Sequence, residues 1–540
     1  MHVQMDADAY AAKLVCAIFS CALLIFAARR AAAQPSEETP SEASETKPQK
    51  PLSELTLEEL LQVPITTIAT ATPRPTSETP SLVTVITARD IEAMGATTVE
   101  EALESVPGLH VSFSAQAYRP KYIIRGVSSR FTPQVLVMQN GVPITNPLTG
   151  GVRTLSLPVE MVSRIEVIRG PGSAVWGADA VAGVINIVTK SADDLDGTVL
   201  GARAGSFTTG SGWILHGDHV EDWKILLGVQ GFSTAGHGRT LEADALHDTP
   251  NARFSLAPGP VNVSGNAANV LLDLEKGSWR LRGSYQSLWN SGTGQGVATV
   301  LDPYGKLYGG RTLVDLTYQP KLSKDWELTP RAAYFHEQDS QKNLNLFPPG
   351  TNLGSGSFPQ GVIGNPEYFE RRVQGDVSVL YKRWSEHRFR AGAGYSFAQV
   401  YRVRNSKNST PTFAPLPGPG LTDVSDTPDS QLPDTYRHNV SGLLQDEWSF
   451  AKDWELTVGA RYDYYSDFGG SFNPRQSLLW KISPALTTRF FYGHAFRAPA
   501  AIELYSRNNV SVIGNRNLKP EQIDVFEAAV DFSALRRKSG

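Results

Sequence analysis

The stretch that decides the fold spans residues 454–464 and reads WELTVGARYDY. Its even-numbered positions are apolar or aromatic, whereas its odd-numbered positions are Glu, Thr, Gly, Arg and Asp. Because successive side chains of a β-strand point to opposite faces, this pattern predicts a strand with one apolar and one polar face. Residues 279–286, WRLRGSYQ, alternate in the same way. Such strands suit a transmembrane barrel with lipid outside and water in its lumen, whereas a soluble sandwich would have shorter strands and an exposed polar face.

The connections between these strands differ in length. Those at residues 382–387 and 449–453 are tight, whereas those at 346–366 and 405–435 are long and rich in Pro, Gly and Asn. Short turns at one end and long loops at the other are typical of outer-membrane barrels. We therefore assign residues 197–540, which hold nearly all the tryptophans and tyrosines, to an antiparallel β-barrel.

Residues 81–190 show a mixed α/β pattern instead. A β-branched strand at 82–86 is followed by predicted helices at 87–94 and 98–106, each with a capping residue at its start. Short strands separated by Gly and Pro turns are predicted at residues 122–125, 135–139, 164–168 and 184–189. This region is a compact domain of its own.

The N-terminal residues predict export. Residues 14–28 are almost wholly apolar and are followed by a small-residue cleavage pattern, so we interpret residues 1–33 as a signal peptide; a short membrane anchor is the alternative. Residues 34–63 are expected to form a disordered tether that ends in a short amphipathic helix. Both cysteines, Cys16 and Cys21, lie in the leader, so the exported chain would have no disulfide and no Cys-ligated metal.

Composition excludes several classes of protein. The chain of 540 residues is 41% hydrophobic and 19% charged, with a formal net charge of -4. These values exclude a helical membrane bundle, a basic nucleic-acid-binding protein and an acidic disordered chain. No nucleophile-elbow, dinucleotide-binding, zinc-protease or P-loop motif is present, so we expect no enzyme, no metal and no cofactor.

Residues 164–190, RIEVIRGPGSAVWGADAVAGVINIVTK, carry a specific resemblance. They resemble the signature that closes the plug domain of TonB-dependent outer-membrane receptors. A second similarity lies in the barrel, at residues 496–499 (FRAP), 503–505 (ELY), 518–521 (LKPE) and 526–527 (FE). The chain departs from the family at Asn140, where an aspartate is usual, and at Trp176, where a tyrosine is usual.

The resemblance implies a mainly β fold, in which an N-terminal α/β plug fills the lumen of a 22-stranded transmembrane barrel, a size at which the lumen must be plugged. It implies a monomer in the Gram-negative outer membrane, driven by TonB and its inner-membrane energising complex. The cargo would be a ferric siderophore or other iron chelate, with cobalamin or another non-iron ligand as the alternative. A passive porin, or an adhesin or phage receptor, is the alternative of another class.

Residues 64–80 would supply the TonB box and a spacer. The box should be an extended segment able to add a strand to a partner sheet. We assign it to Ile65, Thr66, Thr67, Ile68, Ala69, Thr70 and Ala71. An ordinary first plug strand is the alternative.

The resemblance also implies contacts between plug arginines and barrel glutamates. Arg125 and Arg169 match the plug positions and Glu527 matches a barrel position, with Glu447 as a weaker candidate that could be a solvated lumen charge. The plug apex would bind cargo through basic and aromatic side chains, although contacts with the barrel wall would explain them equally well. These candidates are Tyr118, Arg119, Lys121, Arg130 and Phe131.

The barrel is expected to be incomplete. At roughly ten residues per strand plus loops, residues 197–540 supply about fifteen or sixteen strands, fewer than 22. The last eight residues, SALRRKSG, lack an alternating strand with a terminal aromatic. We therefore expect an unclosed wall.

Overall fold

The computed structural model describes residues 68, 76, 79–114, 118–129, 134–152, 157–418, 420–483, 485–509 and 512–532. The predicted signal peptide, tether and short helix lie outside the described residues, as do Arg130, Phe131 and all of the predicted TonB box except Ile68.

In its described residues the plug domain has seven strands and three short α-helices. In chain order they are β1 (Val83–Thr87), α1 (Ala88–Met94), α2 (Val99–Leu103), β2 (Leu109–Phe113), β3 (Pro120–Ile124), β4 (Val135–Gln139), β5 (Val142–Pro143), β6 (Val162–Arg169), α3 (Ser173–Trp176) and β7 (Gly183–Thr189). One sheet has the order β1-β6-β7-β4-β5, with β4 and β7 parallel, and β2 pairs with β3 in a separate hairpin.

Local sequence signals explain the ends of the first two helices. Thr87 and Asp90 form a reciprocal capping box at the start of α1, and Gly95 ends it in the left-handed conformation. Thr98 caps α2, but α2 ends at Leu103 rather than at the predicted residue 106. The reason is that the next backbone bonds tighten to the i→i−3 pattern, from the Ser105 amide to the Ala102 carbonyl at 3.2 Å and from the Val106 amide to the Leu103 carbonyl at 3.0 Å, just before Pro107.

The second region is an antiparallel sheet of 16 strands. Its long strands are β8 (Gly197–Gly205), β9 (Thr209–Val220), β10 (Trp223–Thr234), β13 (Gly265–Lys276), β14 (Trp279–Gly292), β15 (Lys306–Tyr318), β16 (Trp326–Lys342), β20 (Val362–Tyr381), β21 (His387–Lys407), β23 (Thr435–Ala451), β24 (Trp454–Tyr465), β25 (Gly469–Ser483), β26 (Leu486–Arg497) and β27 (Glu521–Phe532). The short strands β17 (Leu344–Phe347) and β22 (Thr422–Asp423) pair with β20 and β21, and the loops hold the pairs β11 (Thr240–Leu241) with β12 (Gly259–Pro260) and β18 (Thr351–Asn352) with β19 (Ser357–Phe358). Helix α4 (Ala501–Tyr505) lies in the loop before β27.

Neighbouring long strands follow one another along the chain from β8 to β27. Within the described residues no ladder joins β8 to β27, so the sheet has two edges, as expected for an unclosed wall. None of the helices in the described part of the chain is long and apolar enough to cross a bilayer.

The predicted alternation is confirmed in β24. Val458 and Tyr462 are exposed on the outer face, whereas Thr457 and Asp463 are buried on the inner face. The strand ends that are joined by short turns, here called the turn end, carry aromatic pairs on neighbouring strands. Trp279 stacks on Tyr318 at 4.3 Å between ring centroids, and Trp454 stacks on Trp480 at 4.7 Å. This is the aromatic girdle of a lipid-facing barrel.

The opposite strand ends form the loop end. Long connections lie there at residues 235–264, 343–361, 408–434 and 498–520, while 206–208 and 466–468 are short exceptions. The prediction of long loops at one end therefore holds for most of the hairpins.

Candidate functional site

The site lies where the plug meets the inner face of the wall, and this contact has two parts. The first, here called the apolar seam, involves strands β9 to β16. The inward side chains of Leu215, Leu226, Leu271, Leu313 and Phe335 belong to the same buried cluster as the plug core. The approach is close, because a Cβ built on Gly228 of β10 would lie 3.3 Å from Cε of the plug residue Met161. The apolar seam is packed like a protein interior.

The second part, here called the arginine seam, involves strands β16 to β26. Four wall arginines donate to backbone carbonyl oxygens of the plug and of the segment that precedes it. The donations run from Arg331 to Asn140, from Arg372 to Pro143 and Thr145, from Arg461 to Val175, and from Arg489 to Thr76 and Thr79. The shortest of these with ordinary geometry joins Arg331 Nη2 to the Asn140 oxygen at 2.7 Å. Charge-assisted bonds to backbone atoms hold the plug on this side.

Two further hydrogen bonds along the arginine seam join a carboxylate to a backbone amide across the contact between the plug and the wall or its loops. Glu370 accepts the Leu148 amide at 2.6 Å, and Asp179 accepts the Ala498 amide at 3.2 Å. Burial raises the pKa of the Asp179 carboxyl, and the nearby Arg497 opposes that rise.

The predicted pairing of a plug arginine with Glu527 is present in the structure. Arg125, in the left-handed conformation after β3, forms an ion pair with Glu527 of β27. Arg169 lies beside this pair and donates to the Pro107 carbonyl at 3.1 Å. Burial and the neighbouring Arg125 lower the pKa of Arg169, while Glu527 opposes that effect. A Cβ at Gly170, whose φ is +128°, would lie 3.0 Å from Glu527 Oε1, so the glycine leaves room for the carboxylate.

Glu447 occupies a different place from the one predicted. Its carboxylate lies 3.8 Å from Arg388 of β21 and accepts from Gln445 at 3.0 Å. It therefore belongs to a charge network of the wall, because β23 lies four strands along the sheet from β27. Its side chain is only 5% exposed, so it is a buried charge of the wall and not the solvated lumen charge of the alternative.

Ile68 is the one described residue of the predicted TonB box. It is 1% exposed and belongs to a cluster with Val83, Met138 and Ile168. Its carbonyl accepts from the Trp176 indole at 2.9 Å. Trp176, one of the two departures from the family pattern, thus supplies the donor that ties this segment to the plug.

Asn140 is the other departure from the family pattern, and its side chain forms hydrogen bonds within the plug. Its amide nitrogen donates to Thr189 Oγ1 at 2.9 Å, and its amide oxygen accepts the Thr189 amide at 3.0 Å. An amide can both donate and accept here, so the usual aspartate is replaced by a neutral bridge between two plug strands.

The three described apex candidates contact the wall, a loop or the plug itself. Arg119 forms an ion pair with Asp339 of β16. The Tyr118 hydroxyl lies 3.3 Å from His237 Nε2, and Lys121 donates to the Ser129 carbonyl at 3.3 Å. A cavity of about 230 Å³ adjoins Arg119 and Lys121; its lining also includes Tyr122, Leu148, Tyr368 and Ile502.

Sequence reasoning missed the wall arginines and Asp339. Their signal was present, because each occupies a polar position of an alternating strand, as Arg461 does in WELTVGARYDY. The pattern shows that such a residue faces the lumen, but it does not show which plug atom lies opposite.

Comparison with known proteins supports the same division of the chain. Residues 75–184 match the model of the TonB-dependent receptor plug domain, and residues 228–538 match that of the TonB-dependent receptor-like β-barrel. The chain belongs to the TonB-dependent receptor family. This is a family of transporters and receptors and not of enzymes.

Two relatives illustrate how far the similarity extends. The iron-regulated outer membrane virulence protein of Vibrio cholerae is 25% identical over 480 residues, which cover 82% of this chain and 62% of the relative. The vitamin B12 transporter BtuB of Vibrio vulnificus is 38% identical over 159 residues, which cover 29% of this chain and 25% of the relative. The chain spans less than two thirds of the length of the curated relatives it matches.

Solved structures of TonB-dependent receptors share the fold. A mutant of the ferric enterobactin receptor PfeA from Pseudomonas aeruginosa has a TM-score of 0.63 at 18% identity, covering 87% of this chain and 71% of that one. The copper transporter OprC has a TM-score of 0.62 at 16% identity, with 84% and 69% covered.

Proposed function

We propose that this chain is an outer-membrane receptor that imports a scarce, large nutrient with energy supplied by TonB. The observation that supports this proposal best is the contact between Ile68 and Trp176, because it places the start of the described chain against the plug. An outer membrane has no ATP, so uphill import requires energy delivered mechanically from the inner membrane. Ile68 is held to the plug by this hydrogen bond and by apolar contacts with Val83, Met138 and Ile168, so a pull on this segment would reach the plug.

The cargo we favour is an anionic iron chelate. Lys121 and the aromatic rings of Tyr122 and Tyr368 line the cavity at the apex. Cationic and aromatic side chains together suit a negatively charged, ring-bearing chelate. Cobalamin is the second candidate, because the stretch of 159 residues with the higher identity belongs to a vitamin B12 transporter.

The localisation we propose is the outer membrane, reached after removal of residues 1–33. The outward aromatic rows at the turn end support placement in a bilayer. We also propose that residues 65–71 form the TonB box, with the Ile68 carbonyl bound to the Trp176 indole.

The test is uptake in a Gram-negative host that lacks its own receptors, with and without this gene and with and without TonB. The probes are a radiolabelled ferric tris-catecholate, a ferric tris-hydroxamate and cyanocobalamin. We expect TonB-dependent uptake of the tris-catecholate. Uptake that persists without TonB would favour a passive pore, and no uptake of any probe would contradict the proposal.

A further inference from the structure

Strand β21 presents a row of small side chains to the plug. Gly392, Gly394, Ser396 and Ala398 occupy successive inward positions, and all four line cavities between the wall and the plug. The intervening positions face outward, as the exposed Tyr395 shows. A strand with such small inward side chains leaves space that a strand of leucines would fill.

Three neighbouring cavities lie between the plug and the wall. The middle one, of about 240 Å³, adjoins the small-residue row. It shares Asp179, Arg372 and Ser396 with a cavity of about 120 Å³ nearer the loop end. It shares Trp176 and Arg331 with a third, of about 430 Å³, which Ile68 also lines and whose other wall residues are Arg280 and Arg282 of β14. We call these three cavities the column.

The column is interrupted by the groups that hold the plug. Arg372 reaches across between the upper two cavities to the carbonyl oxygens of Pro143 and Thr145. Arg331 and Trp176 lie between the lower two, and the Trp176 indole donates to Ile68. The side chain that separates two cavities is therefore bonded to the predicted TonB box.

Two physical differences between the seams favour movement of the plug away from the arginine seam. Hydrogen bonds lost along the arginine seam can be replaced by bonds to water, whereas separating the apolar seam would expose leucines and Phe335. The middle and upper cavities are also smaller than the ~300–1,000 Å³ of typical ligand sites, so cargo passes only if the plug shifts. That shift costs least where the wall offers small side chains.

We infer that cargo passes along the column, first between the plug and the inner faces of β20, β21 and β23 and then past Arg331 of β16 and Arg282 of β14, and that withdrawal of Ile68 releases Trp176 to open this lower part. This inference rests on the proposed import function. It assigns the upper two cavities of the route to the side of the plug that faces β21 and makes the small-residue row the determinant of what fits.

The charges of the column define the class of cargo. Arg331, Arg372, Arg390 and Arg461 line the middle cavity with two aspartates, Asp179 and Asp376. Arg331, Arg372 and Arg390 each keep one buried nitrogen without an acceptor among the described residues. Anionic cargo would supply those acceptors, and neutral cargo would not.

The test introduces larger side chains stepwise into the small-residue row of β21. Gly392 is replaced by Ala, Val and Leu; a Cβ there would meet Leu443 Cβ at 3.6 Å and the Val377 oxygen at 3.5 Å, both ordinary contacts. Ala391→Leu is the matched control, because Ala391 is the preceding residue of β21, pairs with the exposed Leu444 of β23 and lines neither cavity. We expect uptake of the ferric tris-catecholate to fall stepwise, by more than about tenfold at Leu, because close-packed interiors do not admit added volume. Ala391→Leu should import at the wild-type rate, with equal surface levels of all variants.

A second variant tests the route without adding bulk during folding. Ser396→Cys and, as control, Ala391→Cys are made in a chain carrying Cys16→Ser and Cys21→Ser, and folded receptors are treated with a small water-soluble cationic methanethiosulfonate. Modification should block uptake by Ser396→Cys and leave Ala391→Cys unaffected.

The outcomes separate this inference from the proposed function. Full uptake by Gly392→Leu, or by modified Ser396→Cys, in cells where the wild-type chain imports would overturn the route and leave the import function standing. Absence of TonB-dependent uptake by the wild-type chain would overturn both.

Discussion

The apolar seam and the arginine seam hold the same plug by different interactions. On β9 to β16, leucines and Phe335 join the plug core in one buried cluster. On β16 to β26, arginines bond to backbone carbonyls across cavities of about 120 and 240 Å³. The first contact depends on shape and excludes water, whereas the second can exchange its partners for water one bond at a time. The difference shows how one domain can be anchored on one side and displaced on the other.

The largest effect on stability is expected in the apolar seam. Leu313→Ala should lower the free energy of unfolding by about 3 kcal/mol, because it removes buried methyl groups and leaves a cavity against the plug. Val314→Ala is the matched control, since Val314 is the next residue of β15 and is exposed on the outer face. Thermal unfolding in detergent measures both. Equal losses for the two variants would show that the apolar seam does not anchor the plug.

The fold was largely predictable because it follows from the alternation of apolar and polar side chains along each strand. The strand predicted at residues 135–139 is β4, with the same bounds, since its apolar run is bounded by turn residues. Alternation likewise predicted that Tyr462 faces outward and Asp463 inward. The partner of Glu447 was harder to predict than the fold. Glu447 is the weaker candidate for a plug arginine, but its carboxylate lies 3.8 Å from Arg388 of the wall, because an inward position does not specify which residue lies opposite it.

The bonds of the arginine seam were not predictable from side chains at all. Arg372 donates to the carbonyl oxygens of Pro143 and Thr145, and every residue has such an oxygen. Only the path of the plug backbone determines which carbonyl oxygens face the wall. The Ile68 carbonyl bound by Trp176 is a further example.

The next largest effect is expected at Arg372. Arg372→Gln should cost about 2 kcal/mol, since the shorter amide loses charge-assisted bonds to two buried carbonyl groups. Arg371→Gln is the control, because Arg371 is adjacent but exposed and bonds to Gln399 on the outer face. Passive entry of a large antibiotic should rise for Arg372→Gln and stay unchanged for Arg371→Gln. A rise in both variants would point to a general loosening of the wall.

A smaller effect is expected where the plug meets β27. Glu527→Gln removes the charge that pairs with Arg125. The Arg125 side chain is 41% exposed, so solvent screening limits the loss of stability to about 1 kcal/mol. Thermal unfolding compares this variant with Asp524→Asn, whose side chain lies on the exposed face of the same strand. A loss above that of Leu313→Ala would mean that the ion pair at β27, and not the apolar seam, contributes most to holding the plug.

The smallest effect is expected at Asp193, the polar contact that borders the apolar seam at the turn end. Its carboxylate lies 2.7 Å from Lys224 Nζ on β10 and 3.0 Å from His219 Nε2 on β9. The hydrogen bond from Lys224 and then that from His219 lower the pKa of Asp193 below its ordinary value of 3.8. A lowered folded-state pKa means that the charged form stabilises the protein above the unfolded-state pKa, and that this contribution disappears as the pH falls through the folded-state value.

Because the side chain is 56% exposed, Asp193→Asn should cost less than about 1 kcal/mol at pH 7. Unfolding of both proteins measured from pH 5 downward should show this gap closing below pH 3.8. A gap that stays open there would contradict a lowered pKa of Asp193, and one as large as that of Leu313→Ala would mean that ion pairs and not apolar packing hold this side of the plug.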